Sequence, residues 1–163
     1  MIAPLIAGAL TVTMTISGPA PVEQPPAKCK DKTALMLWDA GFHGNKNRIA
    51  WAITWRESHH QNLDESSPYY TGALGMWQVQ TSAHSGKGWW SRSAMLNPER
   101  QSRIVYKHMT SKGRVWTAWG LTSPDADGID ATQYGMWSSA QQYAWIWAPY
   151  ADGLNKYPKE CGR

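Results

Sequence analysis

The sequence lacks the short motifs that mark several common kinds of active site. Its 163 residues contain no CxxC pair, no HExxH motif and no GxSxG elbow, and the run Gly86-Lys87-Gly88 lacks the spacing of a phosphate-binding loop. His59 and His60 are adjacent, so their side chains diverge, and no HxxxH or HxH spacing completes a set of metal ligands. The sequence therefore does not indicate phosphoryl transfer or hydrolysis by a nucleophilic serine. We expect neither a metal nor another cofactor.

The length and charge of the chain set wider limits. After an N-terminal segment, about 140 residues remain, which suits one domain and leaves no room for a second catalytic domain. The net charge of +4 at pH 7 suits an anionic polymer, whether cell wall, nucleic acid or membrane surface. Because the basic residues are scattered, without a stripe or readable motif, we expect no nucleic-acid partner. A monomer is expected.

The N-terminal segment has no charged side chain in residues 1–17 and is followed by Gly18-Pro19-Ala20, a rough cleavage site for a signal peptidase. Residues 1–20 are therefore predicted to be a signal peptide or a weakly apolar membrane anchor, although a basic n-region is missing. The prolines of residues 18–28 indicate an extended tether, so residues 21–28 are expected to stay unfolded. The folded domain is expected at 29–163, exported, and associated at most weakly with a membrane through the N-terminus.

The only two cysteines, Cys29 and Cys161, lie at the two ends of that domain. In an exported protein this arrangement predicts a disulfide that joins the ends, worth about 4–5 kcal/mol in the chain-entropy model. Two free thiols are the alternative. Neither cysteine lies near a candidate base in the sequence, so a nucleophilic role is not expected.

Hydrophobic periodicity and capping residues predict a mainly helical domain with little or no β structure. Asn45 is expected to cap one helix, and Pro98, after Asn97, is expected to begin another. Gly113 and Pro149 are expected to end the last two helices. Residues 61–72 are polar and turn-rich, which predicts a loop with at most a small hairpin. The predicted helices are 33–40, 45–58, 97–113 and 138–147.

Glu57 is the leading candidate for chemistry. It follows Ile49 and Ile53 at i+4 spacing, so its carboxyl is expected to project from the apolar stripe at the C-terminal end of a helix. Partial burial and the negative end of the helix dipole both favour the protonated form, which makes this residue a candidate acid. Arg56 has the opposite effect, but neighbours on a helix point about 100° apart, so its influence is expected to be small. The alternative is a surface Glu at the end of a helix.

Tryptophan is abundant, with eleven copies against a single Phe. Each buried indole N–H needs a hydrogen-bond partner, whereas carbohydrate sites use flat aromatic faces against sugar rings. Trp38, Trp51 and Trp145 are expected to be ordinary core or rim residues. Exposure in a groove is the alternative to burial for the two pairs Trp89, Trp90 and Trp116, Trp119.

Four segments in order resemble the motifs of the lytic transglycosylase and goose-type lysozyme family. They are Arg-Glu-Ser at 56–58, Gly-Ala-Leu-Gly-Met-Trp-Gln at 72–78, Asn-Pro-Glu-Arg at 97–100 and Val-Trp-Thr-Ala-Trp-Gly at 115–120. The resemblance implies a lysozyme-like fold and cleavage of peptidoglycan glycan strands between N-acetylmuramic acid and N-acetylglucosamine, with Glu57 as general acid/base. Within this family, small wall enzymes of phages or actinobacteria look most similar. The resemblance therefore also allows a phage lysis protein or a virion-associated protein. Residues 122–163 match no pattern of the family.

The same resemblance implies roles for further residues. Ser58 would brace Glu57, while the loop at 72–78 and the later tryptophans would contact sugar. Tyr143 would either meet the substrate as a family tyrosine does or pack in the core. The expected substrate-binding residues are Ser58, Gly75, Met76, Trp77, Gln78, Trp116, Trp119 and Tyr143.

The outcome of the reaction depends on a second acid. A lytic transglycosylase uses the muramyl 6-hydroxyl as nucleophile and leaves a 1,6-anhydro end, whereas an inverting muramidase needs a carboxylate about 6.5–9.5 Å from the first to position water. Asp64 is the candidate second acid, and Glu65 beside it is the other acid of that loop. The anhydro-forming route is preferred. A non-catalytic wall-binding or virion structural module is the alternative of another class.

Overall fold

Helices make up most of the regular structure in residues 23–122, 125–129 and 138–162, which are the residues that a computed structural model describes. Helix accounts for 51% of these residues, and the sheet found among them has only two strands. The mainly helical single domain expected from the sequence is therefore confirmed.

The elements follow one another along the chain in this order. The α-helices are α1 (Lys32–Asp39), α2 (Asn45–Ser58), α3 (Thr81–His84), α4 (Arg92–Met95), α5 (Pro98–Ile104), α6 (Ser139–Gln142) and α7 (Ala148–Lys156). Strands β1 (Ala73–Leu74) and β2 (Val79–Gln80) pair antiparallel, and π turns cover Val105–Met109 and Tyr143–Trp147. Two short 3₁₀ helices cover Thr117–Trp119 and Lys159–Cys161.

Helix α2 lies in the centre of the molecule, and most of its middle turns are buried. Ile49 and Ile53 are buried, as their i+4 spacing predicts. Helix α7 packs closely on α2, since a Cβ on Gly153 would lie 2.9 Å from the Ala52 Cα. This close approach brings the segment before α7 to the C-terminal end of α2, where Glu57 lies.

Side chains cap four of the helix starts, among them those of α1 and α5. The Asp31 side chain accepts a hydrogen bond from Ala34 N–H at the start of α1, and Asn97 accepts one from Arg100 N–H at the start of α5. The second of these was predicted. Asn45 is not a cap, because α2 begins at that residue and the preceding residue, Gly44, stands at φ +56° without a side-chain cap.

The predicted ends of the last two helices are wrong, and both errors involve π turns. The helix that begins at Pro98 ends at Met109, because Ser111 and Lys112 adopt positive φ before Gly113 is reached. Pro149 does not end the last helix. The Ala148 N–H bonds to the Tyr143 carbonyl across the π turn, so Pro149 falls in the first turn of α7, where its missing N–H costs little.

The two ends of the domain are joined by the disulfide Cys29–Cys161, with Cα atoms 4.5 Å apart. This prediction is confirmed. Beside it, the Tyr157 hydroxyl lies 2.9 Å from Asn47 Oδ1, and burial raises the pKa of Tyr157 to about 12. The Asn47 amide in turn donates to the carbonyls of Ala34 and Phe42, so one buried side chain ties α1, α2 and the C-terminal turn together.

The predicted signal or anchor at 1–20 lies outside the described residues. Among those that are described, no helix is long and apolar enough to cross a membrane. Residues 23–28 form no helix or strand. Glu23 nevertheless contacts the domain, which a free tether would not do. Its carbonyl accepts from Trp38 Nε1 at 3.3 Å and its carboxylate lies 3.0 Å from His43 Nδ1.

Candidate active site

Glu57 lies in the last turn of α2, at the mouth of an open cleft of about 440 Å³. Its side chain is 23% exposed, so the carboxyl is partly buried and still reachable from solvent. The described residues that line the cleft are Arg56, Glu57, Ser58, His59, Gln61, Leu63 and Tyr69. Glu57 is the one carboxyl group among them.

Arg56 is directed toward Glu57, contrary to the sequence-based expectation that the two side chains diverge. Its Nε and Nη2 lie 3.0 and 2.5 Å from Glu57 Oε1. Backbone geometry separates neighbours by about 100°, but the long arginine side chain folds back over that angle. Only 7% of the Arg56 side chain is exposed, so its charge acts on Glu57 with less screening than at a surface.

Ser58 connects the end of α2 to the loop between the two strands. Its hydroxyl lies 2.8 Å from the Met76 carbonyl and 3.2 Å from the Thr54 carbonyl, and the residue is buried. Leu63 extends the connection, since its carbonyl accepts from Gly75 N–H at 2.7 Å. Ser58 thus fixes the loop that lies behind the cleft and contacts the loop backbone.

The loop at 74–77 is fixed mainly through its backbone. The buried Gln101 amide donates to the Leu74 carbonyl at 2.8 Å and accepts from Trp77 N–H at 3.2 Å. Trp77 Nε1 donates to Ser102 Oγ at 2.9 Å, and Trp119 Nε1 donates to the Trp77 carbonyl at 3.1 Å. Helix α5, whose start is capped by Asn97, therefore holds the loop in place through Gln101 and Ser102.

Burial of the aromatic side chains corrects the expected sugar contacts. Met76, Trp77, Trp116 and Trp119 are at most 4% exposed, so their side chains pack in the core and do not face a ligand. Groove exposure of Trp116 and Trp119 is therefore wrong. The physical reason is that Trp77 and Trp119 have their indole N–H groups paired inside the protein, and Phe42 stacks on Trp116 with ring centroids 5.8 Å apart.

Gly75 and Gln78 shape the turn of the same loop. Gly75 stands at φ +75°, and a Cβ there would lie 2.2 Å from the Met95 carbonyl oxygen. Gln78 also has positive φ, and its amide donates to the Gly75 carbonyl at 2.7 Å. Neither residue lines the cleft.

Besides the end of α2, the cleft is lined by the segment that follows this helix, which the sequence marked only as a polar loop. His59 and His60 both have positive φ, and their N–H groups donate to the carbonyls of Trp55 and Thr54, so the chain turns sharply at the end of the helix. Histidine is among the residues that tolerate this conformation best. The turn brings Gln61 and Tyr69 to the cleft, and Tyr69 is 75% exposed. The adjacent histidines after Glu57 were the one sequence signal for this turn.

The two acids of this loop are engaged away from the cleft. Asp64 Oδ1 accepts hydrogen bonds from the Ser66 hydroxyl and N–H at 2.6 and 3.0 Å, and these lower the pKa of Asp64. Glu65 pairs with Arg92 at 2.6 Å, and this contact lowers the pKa of Glu65 to about 2. Neither lines the cleft.

The remaining candidate aromatics lie at different places. Trp38 and Trp51 are buried as expected, whereas Trp145 is 71% exposed and is not a core residue. Trp89 is partly buried and stacks on His108, with ring centroids 5.7 Å apart. Tyr143, in the π turn before α7, is 56% exposed, so its packing in the core is excluded. Its contact with substrate stays a prediction.

The described residues contain no group of three or more His, Cys, Asp or Glu side chains arranged to hold a metal ion. His60 packs edge-on against Trp51, and burial lowers the pKa of His60. What the cleft offers chemically is one partly buried carboxyl, with a guanidinium behind it and polar and aromatic side chains beside it.

Comparison with protein-family models, with curated protein sequences and with solved structures finds no match for this chain.

Proposed function

We propose that the protein cleaves peptidoglycan glycan strands as a lytic transglycosylase with a lysozyme-like fold, with Glu57 as the general acid and base. One observation carries the proposal: Glu57 is the one carboxyl among the described residues of an open cleft, and it is partly buried at the end of a helix. Protonating the oxygen of a glycosidic bond is the task that such a carboxyl performs in glycosidases. The four ordered motifs supply the substrate class.

In the proposed reaction, protonated Glu57 gives its proton to the O4 atom of N-acetylglucosamine as the bond from C1 of N-acetylmuramic acid to that oxygen breaks. The muramyl 6-hydroxyl then attacks C1, and its proton passes to the Glu57 carboxylate. A C1–O6 bond replaces the glycosidic bond, so no water is consumed and Glu57 ends protonated as it began.

The placement of Asp64 favours this route over hydrolysis. An inverting muramidase needs a second carboxylate that faces the cleft and holds a water. Asp64 instead accepts two hydrogen bonds from Ser66 within its own loop and does not line the cleft.

The location proposed for the protein is outside the cytosol, at the cell wall or on a virion. The disulfide supports an oxidising compartment, and the net charge of +4 favours contact with anionic wall polymers.

The test is digestion of purified peptidoglycan with the full-length oxidised chain, followed by mass spectrometry of the product ends. We expect 1,6-anhydromuramyl ends, and we expect Glu57→Gln to lower the rate by about 10²–10⁴-fold, the usual contribution of a general acid. Glu99→Gln, which removes an exposed acid in the first turn of α5, is the matched control and should cleave normally.

Three other results would replace the proposal. Water added at every product end would identify a muramidase. Glycan binding without cleavage by the unmodified chain would identify a non-catalytic wall-binding module. Cleavage retained by a folded Glu57→Gln variant would place the acid elsewhere.

A further inference from the structure

Arg56 lies between Glu57 and two other parts of the chain. Besides its two contacts to Glu57 Oε1, its Nη2 donates to the Trp119 carbonyl at 2.9 Å, and its Nη1 lies 3.5 Å from the Ile146 carbonyl. Four of the five guanidinium N–H groups are therefore directed at acceptors. Trp119 belongs to a 3₁₀ helix and Ile146 to the π turn before α7, so separate elements fix the orientation of one side chain.

Both Arg56 contacts to Glu57 end on the same oxygen. Because Oε1 accepts two N–H donors, a proton on that atom would face those donors directly. Oε2 has no hydrogen-bond partner in the part of the chain that the structure describes. In the neutral acid, the proton therefore belongs on Oε2.

We propose that Arg56 is the positioning residue of this site: it holds Glu57 by Oε1 and leaves Oε2 as the atom that passes the proton to the glycosidic oxygen. The proposal rests on the proposed function of Glu57. As Glu57 loses its proton, negative charge develops on a carboxylate that is already paired with a buried guanidinium. Fixed charges that meet developing charge in this way lower the barrier of the chemical step.

The charge beside Glu57 comes from Arg56. Among the described residues, the other titratable groups around the pair are His59, which follows α2, Tyr69 in the next loop and Tyr150 on α7. Burial raises the pKa of Tyr150, so that side chain stays neutral beside the charged guanidinium of Arg56.

The test measures kcat and KM for soluble glycan strands with Arg56→Gln and Arg56→Lys. We expect Arg56→Gln to lower kcat by about 10–100-fold with KM within about twofold, since the residue acts on the transition state. Arg56→Lys, which keeps the charge without the planar fork, should retain more activity than Arg56→Gln.

Arg48→Gln is the matched control, because Arg48 lies on the same helix and contacts the Leu154 carbonyl at 3.4 Å without reaching Glu57. Thermal unfolding gives a second readout that needs no activity. If Arg56 engages Glu57, Arg56→Gln should lower Tm more in the Glu57 chain than in the Glu57→Gln chain.

The outcomes separate the two proposals. If the unmodified chain cleaves and Glu57→Gln does not, but Arg56→Gln matches Arg48→Gln in kcat, only the role of Arg56 is overturned. Equal losses of Tm in the Glu57 and Glu57→Gln backgrounds would also overturn it. If the unmodified chain does not cleave, the proposed function fails and the inference fails with it.

Discussion

Two neighbouring segments contribute differently to the cleft: one is buried behind it and the other lines it. Residues 72–78 carry the motif that resembles a known family, yet Trp77 and Met76 are buried and the loop is fixed by hydrogen bonds to its backbone. Residues 59–69 carry no family motif, yet Gln61 and Tyr69 line the cleft. The buried loop packs against the end of α2, and under the proposed function the exposed loop would contact the substrate.

This difference shows what a sequence motif records. Gly75 is required because any larger residue would overlap the Met95 carbonyl. Ser58 is required because its hydroxyl reaches the Met76 carbonyl. Such requirements concern packing, which restricts a position to one or two residue types. An exposed residue such as Tyr69 is not restricted by packing, so no general pattern identifies it.

The largest expected effect is on the buried loop. Gly75→Ala should lower the free energy of unfolding by about 3 kcal/mol, because it combines a strained positive φ with a steric overlap at the Met95 carbonyl oxygen. Gly72→Ala is the matched control: Gly72 also has positive φ, but its Cβ would lie 3.4 Å from the Gln80 side chain and overlap nothing. It should cost about 1–2 kcal/mol. Urea unfolding of both variants measures the difference. Equal losses of unfolding free energy would mean that the loop shifts to make room for a Cβ at Gly75.

A smaller effect is expected in the exposed loop, and on activity only. Tyr69→Ser should raise KM for glycan by about 2–10-fold, since an aromatic contact is worth about 0.5–1.5 kcal/mol, while Tm stays unchanged. Tyr70→Ser changes the neighbouring tyrosine, which does not line the cleft, and should leave KM as it is. Equal KM values for the two variants would contradict the assignment of Tyr69 to the binding surface.

The smallest effect concerns how the exposed loop is attached. The Arg92 guanidinium lowers the pKa of Glu65 from 4.5 to about 2, so this pair contributes stability above about pH 4.5 that is lost as the pH falls toward 2. Glu65→Gln should therefore lower Tm slightly at pH 7 and not at pH 2. Both groups are exposed, so the difference at pH 7 is small and decreases with added salt. If the Tm difference persists unchanged at pH 2, the Glu65–Arg92 pair is not its cause.

Much of the helical fold follows from local signals. Helices α1, α2 and α5 begin within a residue or so of their predicted starts, because apolar spacing and side chains such as Asn97 act within one or two turns. The disulfide was predictable from the placement of the only two cysteines. These features depend on short stretches of chain or on residue counts.

The remaining features depend on contacts between distant segments. Pro149 stays inside a helical segment because a π turn precedes it, and no local pattern indicates that turn. Trp116 and Trp119 lie near small residues that suggested exposure, but their neighbours in the fold, Phe42 and Trp77, bury them. Arg56 meets Glu57 because the carbonyls of Trp119 and Ile146 hold its guanidinium in place.

The disulfide between Cys29 and Cys161 makes the folded domain a closed covalent ring. A single proteolytic cut in the exposed loop beside the cleft would open that ring without separating its two halves. Tyr69, at 75% exposure, is one point of that loop that is open to a protease. The nicked chain would keep both fragments linked by a sulfur bridge and would separate on a gel only after reduction.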